Sequence, residues 1–110
     1  MQQSQTSFHA VSDDIEGIPN PYTQRIIKAL EANFVEHIVV FGSRAKGNFH
    51  EGSDIDICLF GNFSLAQLWE LEGNIDRLEL PWKVDLLGFH LLNSEELKEH
   101  IMRVGIRLQK

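Results

Sequence analysis

Two aspartates interrupt an apolar stretch near the middle of the chain. Asp54 and Asp56 are separated by one residue in the segment SDIDICLF, which has the composition of a β-strand. Because side chains alternate between the two faces of a strand, both carboxylates should leave the same face. Two like charges this close raise each other's pKa unless a cation joins them. The spacing therefore predicts a site for a divalent cation, and Mg²⁺ is favoured because it binds carboxylate and phosphate oxygens together.

A third aspartate lies in another apolar, strand-like segment. Asp85 interrupts KVDLLGF in the same way that the first pair interrupts its own segment. Three strand carboxylates can hold two metal ions, one at the attacking oxygen and one at the leaving group. The structural alternative is an ion pair of Asp85 with Lys83 or Lys46, since carboxylates in apolar surroundings usually have a partner. The three aspartates together predict a catalytic site with two Mg²⁺ ions.

A glycine and a serine precede this aspartate pair, where the segment HIVVFG ends. Gly42 permits a sharp turn and a close approach to a ligand, and backbone N–H groups after Ser43 can bind an anion. Arg44 is expected to contact phosphate, whereas Lys46 fits a phosphate contact and a solvated charge equally well. A simple turn is the alternative for Gly42 and Ser43. One end of the stretch suits phosphate and the other suits metal, as in a site for a magnesium–nucleoside triphosphate.

The elements that must position these residues follow from hydrophobic periodicity. A helical stripe follows Asn20-Pro21, and Ser64 with Gln67 forms a capping-box pattern before a second stripe that begins at Leu65. The predicted elements are a helix from Asn20, strands over 37–42 and 53–60, a helix from Ser64, a strand over 82–89, and a helix capped by Asn93 or Ser94. The final GIRLQK fits helix and strand equally. Trp69 and Trp82 are expected to pack in the core rather than to stack on a base.

This order predicts an α/β (α+β) fold: one small mixed β-sheet with helices packed on it. The first two strands follow each other without an intervening long helix, so they should be antiparallel. Residues 1–18 are polar and aperiodic, and we expect a tail that is flexible or only loosely docked. Residues 19–110 should form a single domain.

Composition excludes several classes of protein. The chain has 110 residues, a formal net charge of −6 and one cysteine, so we expect one cytoplasmic domain without a disulfide and without direct DNA binding. Its N-terminus lacks a signal-peptide pattern, and no apolar stretch is long enough to predict a membrane span. Neither a P-loop motif nor a dinucleotide-binding GxGxxG motif occurs.

In combination, these motifs resemble the signature of the DNA polymerase β-like nucleotidyltransferase superfamily. The residues that carry the resemblance are Gly42-Ser43, Gly47, Ser53-Asp54-Ile55-Asp56 and Asp85. The small size, with FGSRAKG and SDIDI, resembles the minimal nucleotidyltransferases of that superfamily. LPWKVDLLGF and the closing helix resemble one bacterial branch of the group. The resemblance covers nearly all of residues 20–110.

The resemblance implies a role for each site residue. Ser43 and its backbone would touch the triphosphate, in a nucleotide subsite that also includes Gly42, Arg44, Lys46 and Ser53. Asp54 and Asp56 would bind both metals. Asp85 would bind the catalytic metal and help to activate the acceptor hydroxyl. The reaction of the family transfers a nucleoside monophosphate from a nucleoside triphosphate to a hydroxyl and releases pyrophosphate.

The small size also bears on partners. Little surface remains for selecting a base or an acceptor, so a second chain is expected, in a homo-oligomer or a hetero-oligomer. The resembled proteins commonly pair with HEPN-type or related helical-bundle proteins, and several are antitoxins that adenylylate their toxin. This implies Mg²⁺-dependent transfer of AMP from ATP to a partner hydroxyl. The alternatives are a non-catalytic nucleotide-binding antitoxin that masks its partner stoichiometrically, and a small-molecule modifier, against which the missing acceptor domain counts.

Overall fold

The computed structural model describes residue 8 and residues 10–109. In this part of the chain, the strands are β1 (Ala10–Ser12), β2 (Val35–Phe41), β3 (Ile55–Gly61), β4 (Val84–Gly88) and β5 (Ile106–Leu108). The helices are α1 (Asn20–Leu30), α2 (Ser43–Lys46), α3 (Leu65–Asp76) and α4 (Glu95–Val104), and a 3₁₀ turn covers Phe89–Leu91. No helix among these residues is both long and apolar enough to cross a bilayer.

The strands form one mixed sheet in the order β1-β5-β2-β3-β4. β2 and β3 are antiparallel, as predicted, whereas β3 and β4 are parallel. The C-terminal segment, which the sequence left open, forms β5 against β2. The predicted mixed sheet with packed helices is therefore confirmed. β4 lies at one edge of the sheet.

The two faces of the sheet carry separate apolar clusters. Strand alternation sends Ile55, Ile57 and Leu59 of β3 into the larger cluster, with buried residues of α1 and α3. Cys58 and Phe60 point to the other face, where Ile101 of α4 covers them. Burial raises the pKa of the Cys58 thiol to about 12, which keeps it protonated and inert. The helices thus cover both faces and leave the β4 edge open.

Local signals placed most helix boundaries correctly. Ser64 and Gln67 form the predicted capping box, and Ser94 caps α4 by accepting a hydrogen bond from the Leu97 amide at 3.1 Å. α1 differs by one position, because Pro19 is its N-cap and Asn20 is its first residue. Leu65 was expected in the buried stripe of α3 but is 47% exposed, since it lies on the flank of the helix.

The N-terminal segment differs from the sequence prediction. Residues 10–12 form β1, which extends the sheet beyond β5 in a parallel pairing. Ile15 and Ile18 are only 2% and 5% exposed and belong to the larger core cluster. Residues 10–18 are therefore part of the domain rather than a tail, because two buried isoleucines outweigh the polar composition around them. Most of the remaining predicted tail, residues 1–7 and residue 9, lies outside the described residues.

Candidate functional site

The parallel pairing of β3 with β4 brings two of the predicted carboxylates together. Asp56 is directly in register with Asp85, on the sheet face that α4 covers. The Asp85 carboxyl lies within hydrogen-bonding reach of the Asp56 carboxyl. Asp56 is half-buried, and the Asp85 side chain is 42% exposed. This pair is the centre of the candidate site.

Asp54 occupies a looser position than the sequence suggested. It lies one residue before β3 begins and is exposed, although its charge still acts on Asp56. Among the described residues, no three His, Cys, Asp or Glu side chains converge closely enough to hold a metal ion. Three carboxylates repel one another, which favours an open arrangement until a cation joins them. The structure therefore juxtaposes Asp56 with Asp85 and leaves Asp54 exposed just before β3.

The surroundings of Asp56 disfavour its ionisation. Burial raises the pKa of Asp56, and the neighbouring charges of Asp85 and Asp54 raise it further, against a smaller opposing effect of Lys83. Lys83 pairs with Asp85 at 3.5 Å, so the structural alternative for Asp85 is present. The Lys83 side chain is 71% exposed, however, and exposed ion pairs contribute little stability. Such a pair is easily displaced by a divalent cation.

We expect the stability of the metal-free protein to depend on pH through Asp56. Its raised pKa means that the folded state holds the proton more tightly, so the favourable contribution is complete below the ordinary value of 3.8 and is lost as the pH rises through the raised pKa. Asp56→Asn should therefore raise the melting temperature at neutral pH, with a gain that shrinks as the solution is acidified. Thermal melts in EDTA from about pH 4 to about pH 7 measure this difference.

Asp13→Asn is the control for this prediction, because it removes one negative charge from the exposed N-terminal segment. A gain for Asp56→Asn that is the same at every pH would contradict the assignment. With Mg²⁺ added, the wild type should melt at a higher temperature than Asp56→Asn, since the variant lacks the Asp56 carboxylate.

The turn after β2 touches this carboxylate pair. Gly42 has φ +75° and ψ −153°, a backbone conformation that is essentially restricted to glycine. A Cβ atom at this position would overlap Oδ2 of Asp56. Ser43 then begins the four-residue helix α2, and Gly47 ends it in the left-handed conformation. The structure thus places the predicted phosphate turn directly beside the predicted metal ligands.

Two glycines of this turn form a matched pair for a test. Gly42→Ala should lower the free energy of unfolding by about 3 kcal/mol, because backbone strain adds to the overlap with Asp56. Gly47→Ala should cost only about 1 kcal/mol, because φ is also positive there but nothing lies within 4 Å of an added Cβ. Urea denaturation measures both values. Equal costs would show that the turn and the carboxylate are not in contact.

Arg44 does not occupy the predicted phosphate position. It is 2% exposed, and its guanidinium donates hydrogen bonds to the backbone carbonyls of Glu16 at 2.8 Å, Ser53 at 2.9 Å and Glu51 at 3.4 Å. Its Cζ also lies 4.8 Å from the centre of the Phe49 ring. The guanidinium donors of Arg44 are committed to carbonyls of the protein, which disfavours the phosphate contact predicted from the sequence. Arg44 instead joins the N-terminal segment to the loop that leads to Asp54.

Ser53 and Lys46 differ in how well they fit the predicted nucleotide subsite. The Ser53 hydroxyl accepts a hydrogen bond from the His50 amide at 2.9 Å, and the Ser53 amide donates to the His50 carbonyl. These bonds give Ser53 a structural role in the turn, and its contact with a nucleotide stays a prediction. Lys46 is exposed at the end of α2 and makes no ion pair within the described part of the chain. It is available to a bound anion.

A cleft of about 570 Å³ opens from the carboxylate pair toward α3. Its charged lining consists of Asp56, Glu72, Asp76, Lys83 and Asp85. Glu72 and Asp76 were not singled out from the sequence. Their spacing could have indicated them, because residues four positions apart lie on one flank of a helix. Which flank faces the site is decided only by the packing of α3.

Comparison with known proteins agrees with this fold. Residues 24–110 match the family described as Polymerase beta, Nucleotidyltransferase. The chain therefore belongs to this family, and the protein is a nucleotidyltransferase.

Among curated relatives, the chain is 33% identical to the probable protein adenylyltransferase MntA of Haemophilus influenzae (strain ATCC 51907 / DSM 11121 / KW20 / Rd) over 89 residues, which is 77% of each chain. A solved toxin–antitoxin structure with AMP-PNP is 28% identical, with a TM-score of 0.63, over 78% of this chain and 71% of that one. A complex of tri-AMPylated Shewanella oneidensis HEPN toxin with MNT antitoxin contains a chain that is 25% identical, with a TM-score of 0.57, over 78% and 67%.

Proposed function

We propose that this protein transfers AMP from ATP to a hydroxyl group of a HEPN-type partner protein and thereby acts as an antitoxin. The observation that carries the proposal is the in-register pair of Asp56 and Asp85 beside the Gly42 turn. Burial and the neighbouring Asp85 charge raise the pKa of Asp56, which is unfavourable for a structural site but suits a cation-dependent transferase. The solved relatives described as toxin–antitoxin complexes, one of them with an AMPylated HEPN toxin, support the acceptor class.

The residues present fit a bound Mg²⁺. Asp56 and Asp85 would hold it, and Asp54 would join them from the start of β3. Their donors are carboxylate oxygens, which Mg²⁺ prefers, and the charges that raise the pKa of Asp56 support a cation there. When bound, the metal would neutralise charge on the phosphates and lower the pKa of the attacking hydroxyl. Two such ions are our expectation from the family.

The residues of the chain supply the remaining steps. The backbone of the Gly42-Ser43 turn would orient the triphosphate, and Lys46 would neutralise part of its charge. The acceptor oxygen would then form a bond to the α-phosphorus while the bond to the bridging oxygen breaks and pyrophosphate leaves with the electron pair. The Asp85 carboxylate is open to the cleft and would take the proton of the acceptor hydroxyl.

A second candidate is stoichiometric masking of the partner without catalysis. The specific observation in its favour is the ion pair between Lys83 and Asp85, because a carboxylate that is already paired needs no metal. In this case nucleotide binding would only stabilise the complex.

Mass spectrometry of the native complex separates the two candidates. The co-purified partner should gain the mass of AMP when the complex is incubated with ATP and Mg²⁺, and the other nucleoside triphosphates should support less transfer. Mg²⁺ and ATP together should also raise the melting temperature of the isolated chain, and Asp54→Asn with Asp56→Asn should abolish that rise. If the wild type modifies no protein, RNA or small hydroxyl compound yet still silences its partner, masking is correct.

A further inference from the structure

One flank of α3 carries an ordered series of apolar and acidic side chains. Leu65, Trp69, Glu72 and Asp76 recur at intervals of three and four residues, so they lie along one line of the helix surface. Leu68, Leu71 and Ile75 face the core, and Asn74 on the opposite flank donates a hydrogen bond to the Ala29 carbonyl of α1 at 3.1 Å. We call the line from Leu65 to Asp76 the open flank, because Leu65 and Trp69 are exposed and Glu72 and Asp76 line the cleft beside β4.

The N-terminal half of the open flank is apolar. Trp69 is 59% exposed and Leu65 is 47% exposed, although both were expected to be buried. Within the described residues, the Trp69 ring has neither an aromatic nor a cationic neighbour, whereas Trp82 packs edge-on against Tyr22 at 5.2 Å. An exposed tryptophan beside an exposed leucine is costly in water and is typical of the anchor point of a protein interface.

The C-terminal half is acidic and borders the catalytic cleft. Glu72 and Asp76 line the cleft together with Asp56 and Asp85, against one ammonium group, that of Lys83. Within the described residues, neither the Glu72 nor the Asp76 side chain forms an ion pair or a hydrogen bond. These two carboxylates would repel a triphosphate. This side of the cleft therefore suits the acceptor rather than the nucleotide.

The apolar half and the acidic half of the open flank follow each other on one helix, so the distance between them is fixed. Trp69 and Asp76 are seven residues apart in one helix, which corresponds to about 10 Å along its axis. Charge complementarity then selects the occupant: a chain with a basic side chain at the acidic end and an apolar side chain at the Trp69 end. β4 is the last strand of the sheet order, so no strand in the described part of the chain blocks this approach.

We propose that the open flank is the docking surface for the acceptor protein: Leu65 and Trp69 bind an apolar side chain, and Glu72 and Asp76 bind a basic side chain adjacent to the acceptor hydroxyl. This inference rests on the proposed function, because it assigns the acceptor to the half of the cleft that the nucleotide does not use. The partner is thus a polypeptide with a basic acceptor segment rather than a small hydroxyl compound.

The test measures docking separately from transfer. In a Trp82→Phe background, Trp69 is the remaining tryptophan, and its fluorescence reports occupancy of the open flank. The probe is a synthetic helical peptide with a tyrosine, two adjacent arginines and a leucine two turns away. The control peptide has glutamates in place of the arginines. We expect the arginine peptide to shift the Trp69 emission to the blue with saturation, and the glutamate peptide to have no effect.

Variants of the open flank then test the binding role of the acidic half and of the apolar half separately. Titrations of the Glu72→Gln, Asp76→Asn double variant, again followed by Trp69 emission, should show binding weakened at least about tenfold and its salt dependence removed. Trp69→Ala removes the fluorescent reporter, so a peptide with a dye at its terminus is used, and its anisotropy should show a similar loss with the salt dependence retained. Glu70→Gln is the matched control, because it removes an exposed acidic side chain from another side of α3 and should change nothing.

The same variants give a second readout if transfer occurs. The KM for the protein acceptor should rise at least about tenfold, whereas the KM for ATP should stay constant. Equal binding of both peptides, an equal effect of Glu70→Gln, or self-association of the chain through Trp69 would each overturn the docking proposal. Binding of the arginine peptide, together with a lack of AMP transfer to the co-purified partner protein, would overturn the proposed function and leave the docking surface standing.

Discussion

Asp85→Asn should lower AMP transfer at least about a hundredfold, equivalent to roughly 2.7 kcal/mol of barrier, while ATP affinity stays within several-fold of the wild type. Asparagine has nearly the same shape as aspartate, so no cavity forms. Asp85 is in register with Asp56, and its carboxyl is the one open to the cleft. Under the proposed function, its loss would remove both a metal ligand and the proton acceptor, whereas the Gly42-Ser43 turn would still hold the triphosphate. Single-turnover transfer and equilibrium ATP binding measure the two quantities separately.

Lys83→Met is the matched control for this prediction. It removes the ion pair with Asp85 but leaves the carboxylate available. If Asp85 acts in catalysis, Lys83→Met should keep transfer near the wild-type rate. If the carboxylate serves only the ion pair, both variants should behave alike, and Asp85→Asn should retain near wild-type transfer.

Arg44→Ala should lower the free energy of unfolding by about 3 kcal/mol or more. Removing the side chain leaves the part-buried carbonyls of Glu16, Glu51 and Ser53 without their donors, and each lost hydrogen bond to a charged group costs about 1.5–3 kcal/mol. The loop that leads to Asp54 should lose order at the same time. Urea denaturation measures the first effect, and hydrogen exchange of residues 47–54 measures the second.

Arg25→Ala is the control, because Arg25 also donates to a backbone carbonyl and also lies over an aromatic ring, but at an exposed site. It should cost less than about 1 kcal/mol. Arg44→Lys should be intermediate, since an ammonium group keeps the charge but cannot span three carbonyls. Should Arg44→Ala retain full stability while losing ATP affinity, the phosphate contact predicted from the sequence would be restored.

Features that depend on neighbouring residues could be predicted from the sequence. The capping box of Ser64 and Gln67 forms because both groups lie within one helical turn. The alternation in β3 sends Ile55 and Ile57 inward and leaves Asp56 on the other face for the same local reason. The antiparallel pairing of β2 with β3 followed from the lack of a long helix between them. These local patterns were sufficient to predict the fold class and to identify the three aspartates as candidate site residues.

Contacts between distant segments were decided by the tertiary structure. Arg44 follows the serine of a phosphate-type turn, yet its donors meet carbonyls of Glu16 and Ser53 that no local pattern places beside it. β1 has only three residues, too few for a periodic signal, and it exists because β5 offers an edge. Trp69 was expected in the core because it lies in an apolar element. The sequence does not show which flank of that helix another element will cover, and Trp69 is exposed.

The register of Asp56 with Asp85 shows most directly why the sequence alone could not place these side chains together. Each aspartate was visible in its own strand, but a shift of one residue between β3 and β4 would send Asp85 to the opposite face. That register is determined by the burial of Leu86 against the larger core cluster and by the hydrogen bond from the Ile55 amide to the Lys83 carbonyl at 2.9 Å. Local sequence specifies which side chains a strand presents, whereas packing of the whole sheet specifies which of them meet.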